Sequence, residues 1–341
     1  MASQRGFGAG GPTLADVGES GLLARLLGGR LVSAPGLLLG PGDDAALWQP
    51  PAGRVLVLTQ DALVEGVDFR RDWTSPHLLG RRALALSLSD LAAMGAEPAW
   101  CLVALCAPGD TPLADVEALH DGLQAMAAEH GCAIVGGDVS AIDGPLVLDV
   151  VAGGTVVAER ALRRDAGTVG DVLAVTGELG RAAAGLRLLR DPALAAGIDP
   201  AVVDGWRSAQ LDPVPRLAEG RALAEHGVRC AGDLSDGLLV DAGRTAAASG
   251  CGAELWRDAL PVGGALRTAF PADWPALALG GGEDFELLAA APAAVLDGWP
   301  SALAPLRVVG RLVEGGGVTL RSCDGGEVLA LPAVASRHFG S

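Results

Sequence analysis

The sequence predicts a two-domain α/β protein. Its 341 residues, half of them hydrophobic, can bury a large core and exceed what a single domain usually contains. Short apolar runs alternate with longer segments of helical periodicity, which is typical of a layer of helices on one face of a sheet. Charged residues and glycine replace the apolar pattern between 157 and 170, so we predict domains over 1–160 and 161–341, with 1–12 as a flexible tail.

The elements of the first domain follow from local patterns. Thr13 is a suitable N-cap for a helix from Leu14 to Leu27, where apolar residues recur at helical spacing. Gly131 is a suitable C-cap for a helix that ends at His130. In chain order, the further predicted segments are a strand at 55–59, a helix at 78–94, a strand at 99–106, that helix at 113–130 and a strand at 146–157.

A second set of elements is predicted after the glycine-rich turn at 167–171. Apolar runs predict strands at 172–176, 277–279, 285–290 and 306–313. Helical periodicity predicts helices at 182–189, 214–226 and 238–249.

Composition excludes several classes of protein. The formal net charge of −16 argues against binding to nucleic acid, whose partners usually present a positive surface. No uncharged apolar stretch approaches the roughly 18 residues of a membrane helix, so we expect a cytoplasmic protein that does not enter membranes. The six cysteines form no CxxC pair, and the absence of lysine excludes a Walker P-loop.

Acidic residues recur where apolar runs break into small residues. Loops at strand ends commonly carry catalytic carboxylates. Carboxylates that converge in a cleft repel one another unless they hold protons or divalent metal, and oxygen-only ligands favour magnesium. In proteins, Mg²⁺ is often coordinated by one or two carboxylates together with substrate phosphates. These motifs therefore predict a metal-nucleotide site and phosphoryl transfer. The six motifs are Gly42-Asp43-Asp44, Thr59-Gln60-Asp61, Ser89-Asp90, Gly136-Gly137-Asp138, Asp233-Leu234-Ser235-Asp236-Gly237 and Gly281-Gly282-Glu283-Asp284.

Taken together and in this order, the motifs resemble those of the thiamine-monophosphate kinase family over roughly residues 20–340. The resemblance implies an aminoimidazole-ribonucleotide-synthetase-like fold, in which an N-terminal α/β domain binds ATP and metal and pairs its sheet with that of a second subunit. A C-terminal α/β domain would close over the nucleotide and substrate. It also implies a homodimer that uses ATP and several Mg²⁺ ions to convert thiamine monophosphate to thiamine diphosphate.

The resemblance also implies roles for individual residues. The magnesium ligands would be Asp44, Thr59, Asp61, Asp90, Asp138, Asp233 and Asp236. The nucleotide contacts would be Gly137, Asp138, Arg164 and Ser235. The thiamine contacts would be Asp68, Glu283 and Phe339. The catalytic set would be Asp44, Asp61, Asp90, Asp138 and Asp236.

Some positions depart from the family pattern. Family members often carry histidine at Asp68, serine or threonine at Gln60, asparagine at Ser87 and tyrosine at Phe285. Two alternatives therefore stay open. One is another ATP-using member of the same superfamily, and the other is a non-catalytic nucleotide or metal sensor.

Overall fold

The computed structural model describes residues 6–8, 10–28 and 33–332. Its contacts divide the chain into two compact units. The first comprises the residues up to 91 together with 97–158, and the second comprises 92–96 together with the residues from 159 onward. None of the helices among the described residues is both long and apolar enough to cross a membrane.

The first unit contains a four-stranded sheet covered by helices on one face. Its elements are α1 Leu14–Leu27, β1 Leu37–Leu39, β2 Leu47–Trp48, β3 Val55–Val64, α2 Pro76–Ala93, β4 Glu97–Ala107, α3 Leu113–His130, β5 Ala133–Ala141 and β6 Val147–Val156. The sheet order is β3-β6-β4-β5, and β4 and β5 are parallel because α3 connects them as a crossover helix. β1 and β2 form a separate antiparallel pair.

One face of this sheet packs against helix α2, and the other face carries exposed leucines. Side chains alternate between the faces of a strand, so Thr59 and Asp61 share one face of β3 and Leu58 lies on the other. Thr59 and Asp61 contact α2, which identifies the helix-covered face. On the opposite face, Leu56, Leu58 and Leu102 remain exposed. These three leucines form an apolar strip that has no covering layer within the described part of the chain.

The second unit is built on a seven-stranded sheet. Its elements are β7 Val172–Thr176, α4 Arg181–Arg190, α5 Pro200–Leu211, α6 Leu217–Glu225, β8 Cys230–Asp233, α7 Leu238–Ala248, β9 Gly252–Trp256, α8 Gly264–Ala269, α9 Trp274–Gly280, β10 Leu287–Ala291, β11 Leu306–Val313, β12 Val318–Arg321 and β13 Val328–Leu329. The strand order is β13-β12-β9-β11-β7-β10-β8. Apolar side chains of β7, β9, β10 and β11 pack with those of α7 and α9 in one core, while Trp206 and Phe270 belong to a smaller cluster with α4.

Most predicted elements of regular structure are present. The bounds of α1, α3, β7 and β11 agree with the sequence-based ranges. The predicted strand at 277–279 is wrong, because these residues belong to helix α9. Short apolar runs are ambiguous between buried strand and buried helix, and Pro275 in the first turn of α9 favours the helix.

Candidate functional site

In the first unit, three of the predicted metal ligands lie between β3 and α2. The Thr59 hydroxyl donates a hydrogen bond to Asp90 Oδ2. The Ser87 hydroxyl lies 3.1 Å from Asp61 Oδ2 and 3.1 Å from the Val150 carbonyl oxygen. Ser87 is fully buried, so it fixes Asp61 from the helix side. The alternation of β3 and the pitch of α2 thus bring Thr59, Asp61 and Asp90 to one place.

Gln60 points away from this group. It lies between Thr59 and Asp61 on the strand, and its Nε2 donates to Asp149 Oδ2 of β6 at 2.7 Å. Because adjacent residues of a strand face opposite sides, the Gln60 side chain lies on the open face of the sheet. Gln60 therefore contacts β6 and does not join the group formed by Thr59, Asp61 and Asp90.

Asp138 and Gly137 lie on β5, at the far edge of the same sheet. Asp138 pairs in register with Ala104, and its carboxylate accepts a hydrogen bond from Ser140 at 3.2 Å. This register row continues through β6 to Ala62, which places Asp138 on the face opposite Asp61. A side-chain carbon at Gly137 would lie 1.9 Å from a carbonyl oxygen of β4, so the packing of β5 on β4 requires glycine there.

The other predicted residues of the first unit lie in turns. Asp44 is exposed on the loop between β1 and β2, where its backbone N–H donates to Asp43. Asp68 Oδ2 accepts the Val64 backbone N–H at 2.8 Å and closes the turn that ends β3. Phe339 lies outside the described residues.

In the second unit, Asp233 is held at the end of β8 by Arg164. Asp233 is 2% exposed, and the Arg164 Nη2 lies 3.3 Å from its Oδ1. A side-chain carbon at Gly232 would lie 2.9 Å from Arg164 Nε. The glycine before Asp233 therefore leaves room for the guanidinium to lie along the strand.

Asp236, in the turn after β8, is joined to Asp241 and Arg244 on α7. Arg244 Nη1 makes an ion pair with Asp236 and lies 3.2 Å from Asp241 Oδ1. Asp241 Oδ2 accepts the Asp236 backbone N–H at 3.0 Å, which fixes the turn. Burial, with a further contribution from the charge of Asp233, raises the pKa of Asp241 to about 7. Arg244 thus compensates part of the negative charge of Asp236 and Asp241.

The loop that carries Glu283 lies against this turn. The Glu283 N–H donates to the Ser235 carbonyl oxygen at 2.8 Å, and the Phe285 N–H donates to the Leu234 carbonyl oxygen at 3.0 Å. Glu283 and Phe285 adopt positive φ angles of 58° and 48°. Non-glycine residues rarely adopt this region, and they persist there when the surrounding structure holds them.

Two further acids of this loop have structural partners. Asp284 accepts the backbone N–H groups of Gly180 and Ala182 at 2.7 and 3.1 Å, and so caps the start of α4. Desolvation raises the pKa of Asp284 to about 7. Glu286 receives a bidentate ion pair from Arg216, with nitrogen to oxygen distances of 2.7 and 2.6 Å.

The oxygen donors suit magnesium shared with phosphate. Within the described ranges, no three His, Cys, Asp or Glu side chains form a group that could hold a metal ion alone. In the first unit Asp90 and Asp61 have hydroxyl neighbours, Thr59 and Ser87, whereas in the second unit Asp233 and Asp236 are paired with arginines. Magnesium is commonly held by one or two carboxylates, with phosphate and water completing its shell, so this donor set fits a metal that arrives with a nucleotide.

Sequence reasoning missed four side chains that organise the second unit. Two of them, Asp241 and Arg244, lie one helical turn apart just after the acidic turn, and this spacing was a usable signal. Gln210 and Arg216 lie in a region of the sequence far from their acidic partners, where local pattern gives no indication of the contact.

The family models that match this chain cover most of it. The N-terminal domain of AIR synthase related proteins matches residues 42–157, and the C-terminal domain of AIR synthase related proteins matches residues 168–322. Both domain models therefore occur in the order that the superfamily resemblance implies.

Individual relatives agree with this assignment. A thiamine-monophosphate kinase of Mycobacterium tuberculosis is 39% identical over 89% of this chain and 87% of its own length. The crystal structure of thiamine-monophosphate kinase from Stenotrophomonas maltophilia is 41% identical, with a TM-score of 0.79, over 88% of this chain and 95% of that one. A structure of AaThiL complexed with AMPPCP and TMP is 27% identical, with a TM-score of 0.75, over 97% of this chain and 100% of that one.

Proposed function

The chain belongs to the thiamine-monophosphate kinase family, and on that premise we propose that it transfers the γ-phosphate of ATP to thiamine monophosphate, forming thiamine diphosphate and ADP. The observation that carries the proposal is the contact between the turn bearing Asp233, Ser235 and Asp236 and the loop bearing Glu283. This contact joins residues with proposed metal, nucleotide and thiamine roles in one unit.

The acceptor determines what the protein must supply. The substrate phosphate has a second pKa of about 6 and is largely dianionic at neutral pH, so the reaction needs no general base. What it needs is in-line positioning and compensation of negative charge. Arg164 is suited to this role because its planar guanidinium can bind phosphate oxygens through two parallel hydrogen bonds.

We propose that several Mg²⁺ ions are held by the acidic motifs. The ligands would be Asp44, Thr59, Asp61, Asp90, Asp138, Asp233 and Asp236. When bound, the ions would neutralise phosphate charge that an acidic site otherwise repels. Ser87 and Asp241 would hold Asp61 and the Asp236 turn in the orientations that ligation requires.

We propose contacts to the two substrates on the same basis. Gly137, Asp138, Arg164 and Ser235 would contact ATP. Asp68, Glu283 and Phe339 would contact the thiamine moiety. The Asp68 carboxylate already closes its own turn, so its contribution to substrate binding would depend on that turn keeping its shape.

We propose that residues 1–160 form the ATP- and metal-binding and dimerisation domain and residues 161–341 the domain that closes over nucleotide and substrate. The exposed Leu56, Leu58 and Leu102 of the open sheet face support a homodimer, because burying such a strip against a second copy would remove apolar surface from water. All six cysteines are free thiols, which supports a cytoplasmic location.

The direct test is the reaction itself. Purified protein would be incubated with thiamine monophosphate and Mg-ATP, and thiamine diphosphate and ADP would be quantified in the same samples, with Asp236→Ala as the control. Equal amounts of both products, abolished in the control, are expected. ADP without thiamine diphosphate would indicate a different acceptor. Neither product, from folded protein that still binds nucleotide, would favour the sensor.

A further inference from the structure

Gln210 contacts the side chain of Glu283 from helix α5. Its Nε2 donates a hydrogen bond to Glu283 Oε2, across 73 positions of sequence. Gln210 is 4% exposed and lies one residue before the end of α5. A buried amide is costly unless it is hydrogen-bonded, so this contact constrains both side chains.

The backbone of Glu283 is held independently of its side chain. The hydrogen bond from its N–H to Ser235 and its left-handed φ of 58° fix where the side chain starts. The hydrogen bond from Gln210 then fixes the position of the carboxylate at the end of this side chain. The Glu283 side chain is therefore held at its backbone and at its carboxylate by contacts within the second unit.

The chemistry of the donor matters. An arginine at this position would place a positive charge beside the carboxylate, whereas the neutral amide of Gln210 orients it through a hydrogen bond without adding charge. A carboxylate held in this way is suited to a ligand group that is cationic or donates hydrogen bonds. The thiazolium ring and the amino group of thiamine have these two properties.

We infer that Gln210 is a positioning residue that orients the Glu283 carboxylate for the cationic, amino-bearing part of thiamine monophosphate. The inference rests on the proposed function, because it takes Glu283 as a thiamine contact. It predicts that Gln210 affects recognition of the acceptor and leaves recognition of ATP unchanged.

The test is a comparison of kinetic constants in the full-length protein. Gln210→Met keeps the length of the side chain and removes the donor. Its KM for thiamine monophosphate is expected to rise roughly tenfold, as for loss of a hydrogen bond to a charged group, while kcat and the KM for ATP stay near their wild-type values. Gln124→Met on α3 is the matched control, and all its constants should be unchanged.

A second variant separates positioning from packing. Gln210→Glu places a second carboxyl beside Glu283, so the two must share a proton to stay in contact. Relative to the wild type at each pH, its KM for thiamine monophosphate should rise with increasing pH. A structural role alone would give a loss that does not depend on pH.

The outcomes are distinguishable. An unchanged KM for thiamine monophosphate in folded Gln210→Met, or parallel losses in kcat and in the KM for ATP, would overturn the positioning role and leave the proposed function intact. Absence of thiamine diphosphate formation by the wild type would overturn the proposed function, and the inference with it.

Discussion

The backbone N–H of Glu283 donates to the carbonyl oxygen of Ser235 at 2.8 Å. This one contact links a loop in a rare backbone conformation to the turn that carries Asp233 and Asp236. A substitution that displaces either segment should therefore also displace the other, because buried backbone groups rarely remain without hydrogen-bond partners.

Asp90→Asn should impair catalysis far more than folding. Asp90 accepts the Thr59 hydroxyl, and the asparagine amide can preserve packing while removing the charge that a metal requires. We expect turnover to fall by about a hundredfold or more, with a melting temperature close to that of the wild type. Initial rates across a magnesium titration and thermal unfolding would be measured. Asp121→Asn, at an exposed position of α3, is the control. Loss of activity explained by unfolding would contradict the metal role.

Gly232→Ala should weaken ATP binding through Arg164. The added carbon would lie 2.9 Å from Arg164 Nε, so the guanidinium must move from its place beside Asp233. Loss of a charge-assisted contact predicts a roughly tenfold rise in the KM for ATP. Steady-state kinetics with ATP as the varied substrate provide the measurement. At Gly264 an added carbon meets nothing within 4 Å, so Gly264→Ala should behave like the wild type. Equal constants for both variants would show that Arg164 does not act on ATP.

Stability should fall as pH rises, through Asp284. Its pKa is raised from 3.8 to about 7 in the folded protein, so the folded state holds a proton that the unfolded chain releases. The contribution of Asp284 to the free energy of unfolding is therefore fully present below pH 4 and is lost as pH rises through 7. The measurement is the free energy of unfolding in urea, wild type minus Asp284→Asn, across this range, with the exposed Asp204→Asn as control. A difference that is constant or grows with pH would contradict the assignment.

Arg216→Met should destabilise the second unit. Glu286 is 4% exposed, and Arg216 supplies its bidentate ion pair. Removing one partner leaves a buried charge without compensation, which typically costs about 3 kcal/mol or more. Denaturant unfolding would measure the loss. Arg163→Met is the control. Arg163 forms an exposed ion pair with Asp165, so this substitution should change the free energy of unfolding little. Similar losses for both variants would indicate that the Glu286 pair is no stronger than a surface pair.

Leu58→Glu should disrupt the proposed homodimer. Leu58 is 60% exposed on the open face of the β3-β6-β4-β5 sheet, and a charge there would oppose burial against a second copy. Light scattering coupled to size exclusion should report half the wild-type mass. Val214, which is 61% exposed in the second unit, offers a control of matched exposure in Val214→Glu. A wild-type mass equal to one chain would refute the dimer directly.

Local elements were largely predictable because their signals are local. Thr13 and Gly131 mark the ends of helices α1 and α3, and the apolar run at 172–176 predicts β7. Helix α5 was missed, although Asp199 caps it and Pro200 begins it. Because α5 carries Gln210, the contact between Gln210 and Glu283 was missed as well.

The sequence by itself determined which acids the protein has, the order of its motifs and its family. The tertiary structure alone decided which of these acids meet. Thr59 and Gln60 are neighbours in the chain, yet the alternation of a strand sends one side chain to Asp90 and the other to Asp149 on the opposite face. Gln210 reaches Glu283 because helix packing brings together residues that no local pattern connects. Sequence motifs show which side chains the chain contains, whereas contacts between distant segments depend on how buried surfaces pack.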